Sequence, residues 1–399
     1  MPQDAEALRQ FIADHRTMSP QAVALMLGRQ TAWDARYVVQ QIEGWQRLRH
    51  KVPSWAACDD IIYPPRLAIE QCSGEAAARY KGEVIAHLFP QGGTHMADLT
   101  GGYGVDFAVL SQIFRHATYI EQNAELVRLA RHNLPLLGVK NADFIEENAI
   151  LWLSRQQTSS YDLLYLDPAR RDEAGRKTVL IEDCQPDVVT LMPQLLERAA
   201  YVVIKLSPML DLRRALRSLP TVAEVHIFAQ SGECKDLLLV VGHTPTTDPL
   251  ITCADDDHRF TFSLHEERTC SVTYATTLST YLYEPSPAVL KAGAFRTIAT
   301  RYGLAKLSPD AHLYTSSSYA SDFPGRRFRI VRTADFSKSS LRSLDLPQRR
   351  ANLTVRGFPA TVAALRRRLR LREGGDDYLF ATTLSDGRHV LIHAQRARD

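Results

Sequence analysis

The string Asp98-Leu99-Thr100-Gly101-Gly102-Tyr103-Gly104-Val105-Asp106-Phe107 sits at the carboxyl end of the first expected strand and opens a helix. In an open α/β sheet, ligands bind at the carboxyl ends of the strands, near the point where strand order reverses. Gly101, Gly102 and Gly104 lack a Cβ, so a ligand can approach the backbone closely. Asp98, just ahead of them, suits a cofactor with an ammonium group, such as the methionyl end of S-adenosylmethionine, and would repel a pyrophosphate. A dinucleotide fingerprint also needs a third small residue to pack helix on strand, and Phe107 stands in that place. A purely structural tight turn is the plainer alternative.

Further polar residues close other apolar runs. Glu121 ends the second expected strand, 17 residues beyond Gly104, where a carboxylate can accept both ribose hydroxyls. Asn148, or Glu147 beside it, is placed to touch an adenine amino group, although Asn148 also suits a helix N-cap. The fourth run delivers Asp167-Pro168-Ala169-Arg170-Arg171 to the same edge. Asp167 can hold an incoming amine or remove its proton. Pro168 fixes the turn, while Arg170 and Arg171 can grip phosphate or carboxylate bidentately. The competing reading pairs Asp167 with an arginine as a structural ion pair. The fifth run ends with Lys205 and Ser207, which either face substrate or, for Lys205, neutralise Asp167. No histidine or cysteine spacing suggests a metal site.

These residues need an alternating scaffold, and the chain supplies one between residues 67 and 243. Strands are expected at Thr94–Thr100, Ala117–Gln122, Ala142–Glu147, Tyr161–Pro168 and Ala200–Pro208, with helices between them. Val222–Ala229 and Cys234–Val241 then follow as a hairpin. Five βα units closed by an antiparallel hairpin predict an α/β, Rossmann-like, seven-stranded methyltransferase sheet. Residues 1–66 read as a helical cap, with Ser19-Pro20 a start signal. Residues 244–314 read as a connector with strands at Phe260–Leu264 and Ser271–Tyr274 and a helix over Ala288–Tyr302. Residues 315–399 read as a basic domain, β-α-β-α-β-β from Phe323 to the end, with helices near Lys338–Leu344 and at Ala360–Leu371.

The 399 residues suit several domains, at about 150 residues each. With 45% hydrophobic and 23% charged residues, wholesale disorder is excluded. No apolar run approaches the roughly 20 residues of a membrane span. The first residues lack a signal core and the six cysteines form no C-x-x-C pair, so a reducing cytoplasm is expected. The net charge of +3 hides an asymmetry: residues 315–399 hold 17 basic and 8 acidic side chains, leaving the rest at −6. A basic tail behind an acidic body fits nucleic-acid docking, and Arg366, Arg367 and Arg368 on the expected helix are candidates for phosphate contact. A solvated arginine-rich face is the alternative.

The motifs together resemble a known bacterial family, the class I S-adenosylmethionine-dependent methyltransferases with a C-terminal THUMP-like domain. The resemblance rests on Glu70-Gln71-Cys72-Ser73, Asp98-Leu99-Thr100-Gly101-Gly102 and Asp167-Pro168-Ala169-Arg170-Arg171. It continues through Gly232-Glu233-Cys234-Lys235-Asp236-Leu237-Leu238, Tyr283-Glu284-Pro285, Lys291-Ala292-Gly293, His312-Leu313-Tyr314-Thr315 and Phe323-Pro324-Gly325-Arg326. It implies S-adenosylmethionine as cofactor, held by Gln71, Ser73, Asp98, Thr100, Gly101, Gly102, Gly104, Asp106, Glu121 and Asn148. It also implies a ferredoxin-like connector and a THUMP-like, RNA-binding-type tail, with tRNA or rRNA as substrate class. The family is distantly similar to trimethylguanosine synthase and the RNA guanine-N2 methyltransferases, whose fourth-strand motif is Asp-Pro-Pro followed by an aromatic. Ala169 and Arg170 depart from that pattern. Two other functions stay open: a non-catalytic RNA-binding protein that keeps the cofactor pocket, and a methyltransferase of small molecules or proteins. A dinucleotide-dependent oxidoreductase is disfavoured by Phe107 and by the closing hairpin.

Overall fold

The computed structural model describes residues 2–28, 33–170, 180–256, 258–337, 344 and 346–397. Arg171 and, apart from Leu344, the helix expected near Lys338–Leu344 lie outside the described residues. The chain divides into two compact units, Met1–Val222 with Leu238–Pro245, and Ala223–Leu237 with Thr246–Asp399.

The strands in chain order are β1 Gly93–Asp98, β2 Phe114–Glu121, β3 Ala142–Glu146, β4 Tyr161–Leu166, β5 Ala169–Arg170, β6 Cys184–Gln185, β7 Ala199–Leu206, β8 Val222–Gln230 and β9 Glu233–Val241. Next come β10 Leu250–Ala254, β11 Arg259–Ser263, β12 Tyr281–Pro285, β13 Ala305–Lys306, β14 Tyr314–Ser316, β15 Gly325–Asp335, β16 Asn352–Arg356, β17 Asp377–Thr383 and β18 His389–Arg396. Hydrogen bonding orders nine of them as β11-β10-β8-β9-β7-β4-β1-β2-β3. Seven of the nine, β8-β9-β7-β4-β1-β2-β3, are the strands expected from the sequence, but the sheet has nine. Ser231 and Gly232, both at positive φ, make the two-residue turn that the β8–β9 hairpin requires.

The sheet exceeds seven strands because β10 pairs parallel with β8, placing Ile251 beside Val225, and β11 returns antiparallel to β10. β10 falls at the start of the expected connector, where no strand is expected before Phe260. Its signal is short: Ile251 and Cys253, with Phe260 and Phe262 across the hairpin, are buried. Pairing there also covers what would otherwise be a free edge of β8.

In the first unit, β1, β2, β3, β4 and β7 run parallel. Register aligns their carboxyl ends: Asp98 lies opposite Tyr119 and Tyr165, and Leu166 lies opposite Ile204. Phe107, on the helix Val105–Leu110, is fully buried. Its ring meets Tyr119 edge-on at 5.5 Å, and Tyr119 meets Phe144 at 5.7 Å. An aromatic cluster therefore fills the helix–strand contact that a dinucleotide fold makes with a small residue.

The N-terminal helices dock on the same unit. Pro20–Leu27 starts at the Ser19 cap, and Pro53 opens a single helical turn in the first-position role that tolerates proline. From that turn Trp55 packs edge-on against Tyr103 at 5.0 Å. Asn133 clamps the backbone of Ile62, accepting from its N–H at 3.0 Å and donating to its carbonyl at 2.9 Å.

The second unit carries a sheet ordered β13-β14-β12-β15-β18-β17-β16. Two expectations need correction here. Ser271–Tyr274 is not a strand and contributes one isolated bridge, Tyr274 to Lys306. The helix expected over Ala288–Tyr302 is two helices, Pro287–Ala292 and Phe295–Arg301, because Gly293 takes a left-handed conformation (φ 76°, ψ 28°) that terminates the first. The helix expected at Ala360–Leu371 is present over Val362–Leu369.

The aromatic cluster yields a stability prediction. Phe107→Ala should cost about 3–5 kcal/mol, read as a lowered denaturant midpoint of the first unit; a loss under about 1 kcal/mol would show that the ring is not a keystone of that packing.

Candidate functional site

The parallel strands place Asp98, Glu121, Asp167 and Lys205 at or just past their carboxyl ends. Asp98 is buried and accepts hydrogen bonds from the Thr100 N–H at 2.9 Å and the Thr100 hydroxyl at 3.4 Å, both on Oδ1. Burial pushes its carboxyl well above the usual carboxylate range; the Thr100 N–H opposes this, and the charges of Asp106, Asp167 and Glu121 add to it. The Thr100 hydroxyl oxygen also accepts the Asp167 N–H at 2.6 Å, which joins the first strand's loop to the fourth's.

The glycines divide their work. A Cβ on Gly101 would stand 2.2 Å from the Tyr119 ring, so this glycine is required by packing. Gly102 and Gly104 have φ of 57° and 88°, a left-handed region that disfavours side chains. The Gly102 carbonyl accepts the Tyr119 hydroxyl at 2.5 Å, and its N–H donates to Glu121 Oε2 at 3.0 Å. Glu121 Oε1 accepts the Asn123 N–H at 2.8 Å. Each carboxylate oxygen retains a lone pair for a further donor. Asn148 caps the helix Ala149–Ser154 through Oδ1 and donates from Nδ2 to Gln122 at 3.3 Å.

Beneath the loop lies a network that sequence reading sees only in part. Lys81, on the helix Glu75–Leu88, has no solvent exposure. Its ammonium donates to Ser73 Oγ at 3.0 Å and lies 3.2 Å from Asp106 Oδ1. Ser73 and the Tyr165 hydroxyl both donate to Asp106 Oδ2, at 2.8 Å and 2.9 Å. Burial raises the proton affinity of Asp106, but Lys81, Lys205 and these two hydrogen bonds outweigh it and leave the carboxyl below its ordinary range. Lys81 had a legible signal: Ala77, Ala78, Lys81, Val84 and Ile85 share one helical face, all of them buried. Tyr165 reads as filler in an apolar strand.

Gln71 is exposed at the end of the helix Arg66–Gln71. Lys51 steadies that segment by donating to the carbonyls of Ile69 at 2.9 Å and Glu70 at 2.8 Å. Lys205 pairs with Asp167 Oδ2, so Asp167 meets a lysine where the structural alternative expected an arginine. Pro168 is buried, and past it Ala169 and Arg170 form a two-stranded ribbon with Gln185 and Cys184. Ser207 accepts the Met209 N–H at 3.3 Å. In the second unit Arg366 pairs with Glu373 at 2.7 Å, Arg368 covers the Phe336 ring at 4.2 Å, and Arg367 is exposed.

The residues present fit a cofactor with a cationic amino-acid end and a ribose. Asp98 is a buried acid whose hydrogen bonds fall on one oxygen among the described residues, and Glu121 offers two oxygens beside backbone that no Cβ obstructs. S-adenosylmethionine supplies an electrophilic methyl group. The chain can supply, at Asp167, a carboxylate that accepts a hydrogen bond or proton from the atom to be methylated.

A doubly wound sheet closed by a hairpin, with an acidic Gly-rich loop and a strand-end carboxylate, defines an S-adenosylmethionine-dependent methyltransferase. Residues 281–324 match a ferredoxin-like domain family and residues 325–396 a THUMP domain-like family. The crystal structure of a protein from Porphyromonas gingivalis assigned as a methyltransferase is 37% identical, with a TM-score of 0.87 over 98% of both chains. Two uncharacterised S-adenosylmethionine-dependent methyltransferases of Mycobacterium tuberculosis are each 26% identical over 307 residues, 76% of this chain and 80% of theirs. The chain belongs to the class I S-adenosylmethionine-dependent methyltransferases with a C-terminal THUMP-like domain.

The buried network is testable by itself. Lys81→Met would leave the Asp106 carboxylate buried without its cation, and the expected loss is about 3–5 kcal/mol of stability. Chemical denaturation checks this, and an unchanged midpoint would show that Lys81 is not what sustains Asp106.

Proposed function

We propose that this methyltransferase modifies a nucleobase in structured RNA, tRNA or rRNA, in the cytoplasm. The observation that carries the reading is Asp167, presented at the rim beside the Thr100 loop and steadied by Lys205, in a chain that also carries a THUMP-like segment. Asp98 receives the cofactor's ammonium, and Glu121 the ribose. Gly101, Gly102 and Gly104 shape the loop, and Asn148 stands by the adenine. Thr100, Ser73 and Asp106 hold these parts in place, with Gln71 at the rim. Asp167 orients the acceptor and takes its proton, while Pro168 fixes the turn. We assign Arg170, Arg171 and Ser207 to substrate binding, with Lys205 acting through Asp167. In the domain organisation we favour, residues 1–66 are a helical cap, 67–243 catalytic, 244–314 a connector and 315–399 the basic RNA-facing part.

Asp167→Ala should lower methyl transfer to the RNA by roughly a thousandfold while S-adenosylhomocysteine still binds. The measurement is incorporation of labelled methyl groups into RNA from cells lacking the protein. Full incorporation by the variant would favour a non-catalytic role. Incorporation into small molecules or protein instead would move the substrate class.

A pH dependence follows from Asp98. Its carboxyl tends to stay protonated when buried, and it must ionise to receive an ammonium, so cofactor binding releases a proton. Affinity for S-adenosylhomocysteine should therefore climb by up to about tenfold per pH unit below the free-state pKa and level off above it. Calorimetry in buffers of different ionisation heat reads the proton directly, and Asp98→Asn should abolish the dependence. A pH-independent affinity in the unsubstituted protein would remove Asp98 from the cofactor site.

A further inference from the structure

The second unit holds an arginine cluster that the basic helix does not account for. Glu284 on β12 is 2% exposed. Its Oε2 accepts both Nε, at 2.7 Å, and Nη2 of Arg326 on β15. Its Oε1 accepts Nε at 3.2 Å and Nη2 at 3.0 Å from Arg356 at the end of β16. Both arginine side chains remain 38% exposed. A third guanidinium, on the exposed Arg396 of β18, lies 5.0 Å from the Phe328 ring and 5.5 Å from Tyr378. Arg326 lies over the same two rings at 5.6 Å and 5.8 Å.

One arginine suffices to neutralise one buried carboxylate. Here Glu284 meets two, and with Arg396 the four side chains sum to +2. Arg326 and Arg356 each give Glu284 one edge of the guanidinium fork, which leaves the remaining N–H donors turned away from it. The carboxylate and the rings hold these forks in place, so little side-chain entropy is left to lose when a ligand binds. Fixed planar cations with spare donors match phosphate oxygens. Phe328 and Tyr378 already carry guanidinium groups, so the cluster is suited to backbone phosphates rather than to stacking bases. The helix 362–369 shows no such surplus at Arg366, which is matched one to one by the exposed Glu373.

We propose that Arg326, Arg356 and Arg396, anchored by Glu284, Phe328 and Tyr378, form the surface on which the phosphates of an RNA strand dock. The inference rests on RNA being the substrate class, and its test separates the two.

The experiment titrates the full-length protein with bulk bacterial tRNA, and separately with rRNA, across a salt series, using inorganic phosphate as competitor. Arg396→Gln is the deciding variant because, among the described residues, its guanidinium lies against rings and not against Glu284; Arg326→Gln is the second, and Arg115→Gln, exposed at the start of β2 in the first unit, is the control. Unchanged S-adenosylhomocysteine affinity and unchanged thermal unfolding establish that each variant is folded. Each cluster variant should bind RNA several-fold more weakly, with the slope of log affinity against log salt reduced by about one, while Arg115→Gln leaves it unaltered. Wild-type slope in Arg396→Gln overturns the surface and leaves RNA as a substrate class. Millimolar phosphate binding that the cluster variants lose, without change in their RNA affinity, makes it a free-phosphate site and overturns the proposal. No binding of either RNA by the unsubstituted protein at low salt overturns both readings.

Discussion

The site depends on an ion pair sealed from water. Lys81 has no solvent exposure and Asp106 little, so each requires the other to carry charge at tolerable cost. Ser73 brings the loop before one helix to this pair, Asp106 opens the helix after the Gly-rich loop, and Tyr165 arrives from β4. Three segments remote in sequence are thus fixed to one carboxylate. A second opposed pair, Lys205 with Asp167, lies close enough that Lys205 also lowers the proton affinity of Asp106. The alternation of lysine and aspartate lets several charged groups share a confined space, and Asp98, which has no such cation among the described residues, shows what burial does without one.

The parallel strands were legible because each is a short stretch with β-branched or aromatic residues that is followed by a helical one. Phe107 was legible as an obstacle to one cofactor class, and its burial against Tyr119 gives that exclusion a physical basis. Reading failed where one residue had two plausible environments. Lys81 resembles the solvated lysine of any amphipathic helix until its buried neighbours are counted, and Gly101 resembles a ligand-facing glycine although the Tyr119 ring already claims its space. Asn148 meets the N-cap expectation, and its amide nitrogen donates to Gln122. Beyond residue 243 the signals weaken: β10 is five residues long and follows two prolines, and Glu284 appeared only as part of a motif without a role.

Charge is used differently in the two units. In the first, opposite charges are matched closely and buried. In the second, a buried carboxylate is overmatched, and the surplus is turned outward on rigid supports. The overall charge of +3 conveys neither arrangement. The ferredoxin-like segment contributes Glu284 and the THUMP-like segment its arginines, so the cluster exists only where both are folded.

The pairing of β10 with β8 bears on how the protein can be taken apart. A chain cut after residue 243, where the alternating pattern ends, would lose β10 and β11 and leave the length of β8 unpaired along one side. Its buried residues, Val225, Ile227 and Ala229 among them, would then flank an open row of backbone donors and acceptors, a template for joining copies edge to edge. The catalytic fold is therefore better isolated with residues 244–263 retained, and the connector is to that extent a protective margin of the sheet.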